Sequence, residues 1–317
     1  MMSYRTLGKS GLQVSVVGLG ANNFGGRIDA EASRKVIDAA IEHGINFFDT
    51  ADVYGNKGGS ESVIGEVLGA RRKDVIIATK FGNVMDEAKG LKGASRQYIV
   101  SAVEASLRRL KTDWIDLYQL HLPDPRTPIE ETLRALDDLV KSGKVRYIGA
   151  SNLPAWQVVE AQFIARELGT HRFISSQDEY SLLKRDAERE LLPALHAYGI
   201  GLLPFFPLAN GLLTGKYKRG EAIPAGTRLA GDGARADRIL NENNLSIVER
   251  LTGFAQERGH SLLDLAFSWL LANPAVSSVI AGATKPEQIA QNVKAGSWIL
   301  TASELAEIDR ITARNAA

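Results

Sequence analysis

The chain has 317 residues, 44% hydrophobic and 24% charged, with a formal net charge of +1 and no cysteine. This is ordinary globular composition; the near-zero charge offers no overall field to gather nucleic acid or an anionic membrane, and the absence of thiols excludes disulfides, thiolate metal sites and cysteine nucleophiles. No apolar run approaches the roughly 20 residues that span a bilayer, and the opening MMSYRTLGKSGLQVS lacks a signal-peptide core, so a soluble, cytoplasmic protein is expected.

Tyr4–Ser15, with a Lys9-Ser10-Gly11 turn, reads as a hairpin. Strand candidates follow at Val16–Gly20, Asn46–Asp49, Val75–Lys80, Ile115–His121, Val145–Ser151, Phe173–Gln177, Gly201–Phe205 and Ser277–Ala281. Most lack polar alternation, as suits strands buried on both faces of a parallel sheet. Helical stripes lie between them. Val36, Ala40 and Ile41 are closed by Gly44. Ile99, Val103, Leu107 and Leu110 follow Ser95. Thr127-Pro128-Ile129-Glu130 reads as a capping box with proline at the first helical position, ahead of Ile129, Leu133, Leu136 and Val140 and a stop at Gly143. Thr284-Lys285-Pro286-Glu287 reads as a second box.

Eight βα units predict an α/β (β/α)8 TIM barrel spanning 1–317 as one domain, with the hairpin capping its N-terminal mouth. A doubly wound sheet is the rival, because alternation alone does not show closure. The connection from Pro207 to Asn241, after the seventh strand, is too long for a turn and carries six Arg/Lys against three Asp/Glu. Loops of that length act as lids or remain disordered. A basic lid beside the barrel mouth would cover a phosphorylated cofactor; a solvated insertion is the alternative.

Barrel chemistry sits where strands end. The second strand candidate ends in Asp49 and runs into Tyr54, the third ends in Lys80 and the fourth in His121. Singly, each has a structural explanation; on consecutive strands they make chemical sense together. A phenol with a pKa of about 10 is a reluctant acid near neutrality, and a nearby ammonium is expected to lower it. Asp49 would keep Lys80 charged, and His121 would orient a carbonyl oxygen. Such a site polarises a carbonyl but holds no hydride, so a cofactor must supply it.

These residues resemble the aldo-keto reductase family. The runs YRTLGKSGLQVSVVGLG, FDTADVYG, ATKFG, IDLYQLHLPD, YIGASN, SSQDEY, LANGLLTGKY and IAGATKPEQIAQN are similar to family motifs in family order, over Tyr4 to about Asn292. The opening hairpin and GLLTGKY look closest to the bacterial and potassium-channel β-subunit branch. The resemblance implies a barrel binding NADPH, less often NADH, and a tetrad of Asp49, Tyr54, Lys80 and His121. It implies that Ser151, Asn152 and Gln177 grip the nicotinamide carboxamide and that Phe205 stacks on the ring. Pro207, Leu208, Gly211, Leu213 and Lys216 match the stretch around the pyrophosphate, while Phe206 replaces a serine that commonly meets it. Gly282, Thr284, Lys285, Gln288 and Asn292 match the adenosine end. Many members carry lysine in place of Gly282 and arginine in place of Gln288, so Lys285 is the cation left there for a 2′-phosphate. Gly20, Asn22 and Asn23 match the cofactor-side loop by position, though not its commonest form. Phe24, Leu122 and Phe206 are the expected substrate walls, with core packing as the other explanation.

The expected activity is therefore NAD(P)H-dependent reduction of a small-molecule carbonyl with Tyr54 as acid, without nucleic-acid or membrane partners; oligomeric state is not readable. Two rivals share the fold: a cofactor-binding regulatory protein with little turnover, and a lyase using Lys80 as a Schiff base. The five histidines, His43, His121, His171, His196 and His260, show no metal-ligand spacing.

Overall fold

The computed structural model describes residues 2–313. β1 (Tyr4–Thr6) and β2 (Gln13–Ser15) pair antiparallel as the expected hairpin. Eight parallel strands follow: β3 (Val17–Gly20), β4 (Phe47–Asp49), β5 (Ile76–Phe81), β6 (Ile115–Leu120), β7 (Val145–Ser151), β8 (Ser175–Gln177), β9 (Gly201–Leu202) and β10 (Val279–Gly282). They lie in the order β10-β3-β4-β5-β6-β7-β8-β9. A doubly wound sheet would reverse direction part-way; this order runs once round. The seam is closed where Leu202 bridges Val276 in parallel. Leu202 N donates to Ala275 O (2.7 Å), and Ile280 N donates to Pro204 O (3.1 Å). The sheet is therefore a (β/α)8 barrel.

The outer layer comprises α1 (Ala30–Glu42), α2 (Tyr54–Leu68), α3 (Arg96–Leu110), α4 (Ile129–Lys141), α5 (Ala155–Leu168), α6 (Leu191–Tyr198), α7 (Gly233–Ile239), α8 (Glu242–Gln256), α9 (Leu262–Ala272), α10 (Pro286–Ala295) and α11 (Ala302–Thr312). Ser95 caps α3 by accepting from Tyr98 N (3.3 Å), as its position predicts. The two proposed capping boxes need correction. Thr127 spends its hydroxyl on Asp124 Oδ2 (2.9 Å), leaving Pro128 at the cap of α4. At α10 the side chain that accepts from Thr284 N (2.7 Å) and Lys285 N (3.3 Å) belongs to Gln288, not Glu287.

A strand's period of two divides each barrel residue set into outward and inward faces. The inward set is layered. At the N-terminal end Leu7 and Val14 from the hairpin pack with Phe47, Ala78, Leu117, Leu203 and Ile280 as an apolar plug. The hairpin is tied down by Lys9 N to Gly199 O (2.7 Å) and by Arg5, which donates to Leu271 O (2.7 Å) and Val276 O (2.8 Å). Two residues further along the strands the inward positions turn polar: Asp49 above Phe47, Lys80 above Ala78, Gln119 above Leu117. The plug thus closes one mouth and confines polar chemistry to the other. Gly149 makes this layer possible, since a Cβ there would collide with Ser175 Oγ and press on Gln119.

The long 207–241 connection is not structureless. It holds a 3-10 turn at Ala209–Thr214 and the helix α7. Arg27 reaches across from the β3–α1 loop and donates to Gly226 O (2.6 Å).

Candidate active site

Asp49 ends β4, Lys80 lies in β5, and His121 follows β6 by one residue. Lys80 is fully buried, and its ammonium donates to Asp49 Oδ1 (2.8 Å), Asp49 Oδ2 (2.7 Å) and Thr50 O (2.8 Å), with the Tyr54 hydroxyl as a further hydrogen-bonding neighbour. Its Nζ lies 5.1 Å from the Tyr54 ring centre. The His121 ring meets the Tyr54 ring edge-on, 5.8 Å between centres at 82°. The four residues expected from the strand ends therefore occupy one mouth.

Local backbone explains how Tyr54 gets there. The run after it is left-handed, with φ of 65° at Gly55, 60° at Asn56, 67° at Lys57 and 111° at Gly58. A Cβ on Gly55 would overlap Phe24 O and come within 2.5 Å of Ser60 N, so only glycine fits. Left-handed Asn and Lys each cost on the order of 1 kcal/mol or more. The surrounding contacts hold that strain, and the result is a phenol aimed into the barrel.

The electrostatics correct one expectation. The Tyr54 phenol is held above its ordinary value, not below it: burial is the largest influence, Lys80 opposes it, and Asp49 works against Lys80. Burial alone would push Lys80 toward neutrality, but Asp49 and Tyr54 together carry it above the usual ammonium range. Burial, with Lys80 adding repulsion, drives His121 down to about 3. Its Nδ1 is buried without a partner. At neutral pH the mouth thus holds a loaded phenol, a charged ammonium and a neutral imidazole.

The cofactor candidates fall into three groups. Around β7 and β8, Ser151 Oγ donates to Gln177 O (2.8 Å) and accepts from Asn152 Nδ2 (2.9 Å), which also donates to His121 O (3.1 Å). Gln177 Nε2 donates to Asp49 Oδ1 (2.8 Å). These side chains join the tetrad through a continuous polar network. After β9, Phe205 and Phe206 stand edge-on at 5.2 Å. Phe206, Ala209, Asn210 and Gly211 all have positive φ, and Pro207 is buried beside the half-buried Leu208. Lys216 lies against Gly211, where a Cβ would meet its Nζ at 2.8 Å. Leu213 is wholly buried in the core, so its side chain packs and does not face a ligand. At β10, Gly20 and Gly282 lie side by side in register. Asn23 Nδ2 donates to Ala283 O (3.3 Å), with Asn22 close to Gly282. Thr284, exposed Lys285 and Gln288 form the α10 cap described above, and Asn292 is buried on the same helix.

Of the substrate-wall candidates, Phe24 is fully buried in the main core; it supports the Tyr54 loop and leaves no wall to offer. Leu122, beside His121, is 37% exposed, and Phe206 is half-buried. One residue was not singled out from sequence. Arg228, in the long loop, sits 4.9 Å over the Phe206 ring, and its Nε is buried without a partner. Burial, then Arg235 and Arg27, lower its pKa, while Tyr54 pulls the other way. The six cations of the loop signalled anion binding; nothing in their spacing said which one turns inward.

The model of the aldo/keto reductase family matches residues 16–313. The chain belongs to that family. Curated relatives agree over most of their lengths. A probable voltage-gated potassium channel subunit beta of Oryza sativa subsp. japonica is 42% identical, over 93% of this chain and 91% of the relative. An uncharacterized oxidoreductase of Bacillus subtilis is 40% identical over the same shares. The L-glyceraldehyde 3-phosphate reductase of Escherichia coli is 37% identical over 98% of this chain and 92% of the relative. This aldo/keto reductase is thus an oxidoreductase at family level, and among the described residues no helix is long and apolar enough to cross a membrane.

Proposed function

We propose that this aldo/keto reductase reduces the carbonyl of a small aldehyde or ketone to an alcohol, with NADPH as the reductant and NADH serving less well. The observation that carries the reading is the buried Lys80–Asp49 pair beneath Tyr54, with neutral His121 at its edge. When bound, the dihydronicotinamide supplies the hydride. Tyr54 then gives its Oη proton to the carbonyl oxygen. A phenol held above its ordinary value carries that proton at neutral pH, yet is a far stronger acid than the alcohol being formed. Lys80 stabilises the phenolate left behind, and Asp49 keeps Lys80 charged. His121 stays neutral and is no general acid, but it keeps one ring N–H that can donate to the carbonyl oxygen and orient it.

The residues present fit a phosphorylated cofactor. Arg228 has an unpaired buried N–H beside Phe206, the kind of buried donor that an anionic phosphate would satisfy. Ser151, Asn152 and Gln177 would hold the carboxamide and Phe205 the ring. Lys285 would meet the 2′-phosphate, because Gln288 already occupies the Thr284 and Lys285 amides. The lyase reading loses ground: an ammonium with three satisfied donors and a bidentate carboxylate is a poor nucleophile. The relatives named as channel β-subunits favour a second reading, a cofactor-binding regulator with little turnover.

Steady-state NADPH oxidation over a panel of aldehydes separates the two, with glyceraldehyde 3-phosphate included because of the Escherichia coli relative. Tyr54→Phe is expected to retain NADPH binding and lose kcat by about 100-fold or more. A variant within about threefold of wild type removes Tyr54 as the acid, and no turnover of any carbonyl by wild type favours the regulator.

A further inference from the structure

Behind the Tyr54 loop lies a second buried polar cluster that the reaction above does not use. Asp52 is 1% exposed and two residues from Tyr54. Its backbone N–H donates to Lys80 O (3.2 Å), so it is joined to the strand carrying the ammonium. Its Oδ2 accepts from Tyr98 Oη (3.2 Å), whereas Oδ1 is buried with no partner. Glu61, also fully buried, accepts from Thr79 Oγ1 (2.6 Å) and Arg109 Nε (2.7 Å). Tyr118 Oη is a further buried oxygen without a partner.

The charges in this wall do not balance if both acids are ionised. The groups facing Asp52 are Tyr98 and Arg109 from α3, Glu61 from α2, Tyr118 from β6 and the Lys80 backbone from β5. Arg109 is the cation among them, and it is engaged by Glu61 at 2.7 Å. The Lys80 ammonium is spent on Asp49. An ionised Asp52 would be a buried anion with only neutral donors, the Tyr98 hydroxyl and the Val53 N–H, and a like charge nearby, which costs several kcal/mol. A proton on Oδ1 removes that cost and turns the orphaned acceptor into a donor.

We propose that Asp52 is a positioning residue that works as a neutral carboxylic acid, holding the 50–54 segment, and with it the Tyr54 phenol, in place over Lys80. Burial first and Glu61 second push its carboxyl from 3.8 up to about 7, with Tyr98 and Arg109 pulling back. Tyr98 and Tyr118 are both pushed up by burial and by Asp52, so they remain phenols while Asp52 titrates. Ionisation as pH rises through about 7 sets Asp52 against Glu61 inside a packed wall, and the segment that yields is the one carrying Tyr54.

The inference rests on the reductase reading, and the tests keep the two apart. In the full-length protein, Asp52→Asn mimics the neutral acid. Wild-type kcat is expected to fall about tenfold per pH unit above a midpoint of about 7, while Asp52→Asn stays within about threefold of wild type near pH 6 and keeps its rate near pH 9. Tyr98→Phe removes the donor that favours the charged carboxylate, so its alkaline limb moves to higher pH. Infrared difference spectra of wild type against Asp52→Asn read the proton directly: a carboxylic-acid carbonyl band is expected at about pH 5 and lost by about pH 9. Coincident pH profiles, or no such band, overturn the positioning role even if Tyr54→Phe is inactive. Should Tyr54→Phe remain active, the reductase reading itself fails, whatever the infrared band shows. Should Asp52→Asn not fold, the Tyr98→Phe profile and the wild-type band decide.

Discussion

Replacing Asp49 by Asn removes a charge from a buried ion pair in the barrel. Lys80 is fully buried and Asp49 3% exposed, and both carboxylate oxygens lie within 2.8 Å of Nζ. Breaking a pair of this kind strands the partner charge and costs about 3–5 kcal/mol. Against a typical folding stability of about 5–15 kcal/mol that is a large fraction. Lys80→Met alone strands Asp49 in the same way, although Gln177 and Gln119 still donate to it at 2.8 and 3.4 Å. Removing both charges leaves neither partner of this pair stranded, so the double variant should be more stable than the summed losses by about 2 kcal/mol or more. Urea unfolding followed by tryptophan fluorescence measures all four corners of the cycle, with the chain expected to unfold as a single cooperative unit. Additivity within about 0.5 kcal/mol would show that the two charges do not depend on each other and would refute the electrostatic account of Lys80. All three variants should also lose carbonyl reduction.

Four further outcomes are expected. Lys285→Ala should raise the Kd for NADPH more than that for NADH in a fluorescence titration; equal losses would take Lys285 away from the 2′-phosphate. Arg228→Met should weaken both cofactors, and hydrogen exchange over residues 207–241 should slow when wild type binds NADPH; unchanged exchange refutes the lid. Asp52→Asn should alter stability with a defined sign. The folded carboxyl titrates at about 7 and not 3.8, so its contribution is complete below about pH 4 and is lost as pH rises toward 7. The variant should therefore gain on wild type across that window, by on the order of 4 kcal/mol at most, and hold its advantage above it; thermal melts at stepped pH read this.

Much of the site was legible before any coordinates because a buried parallel strand declares its end in sequence. An apolar run stopping at Asp49, Lys80 or His121 puts that residue at the mouth, whatever the precise barrel geometry. Gly55 was not singled out in the sequence, because the overlap with Phe24 O that demands glycine belongs to the fold. Helix starts were less readable. Thr127 and Thr284 both have box spacing, but the first of these two helices starts one residue later, with Thr127 donating to Asp124, and at the second Gln288 takes the Thr284 N–H that Glu287 would have accepted.

By itself, then, the order of residues determined the eight βα units, the hairpin ahead of them and the four side chains at the strand ends, because local pattern and strand period carry that information. Only the tertiary structure decided what depends on burial and on distant neighbours. It closed the barrel at Leu202 and Val276, placed Phe24 in the core, and turned Arg228 inward over Phe206. It also raised Tyr54 where an isolated Lys80 would have lowered it. Desolvation and charge pairing are sums over everything packed around a group, and for Tyr54 and Asp52 most of that surrounding comes from other strands and helices.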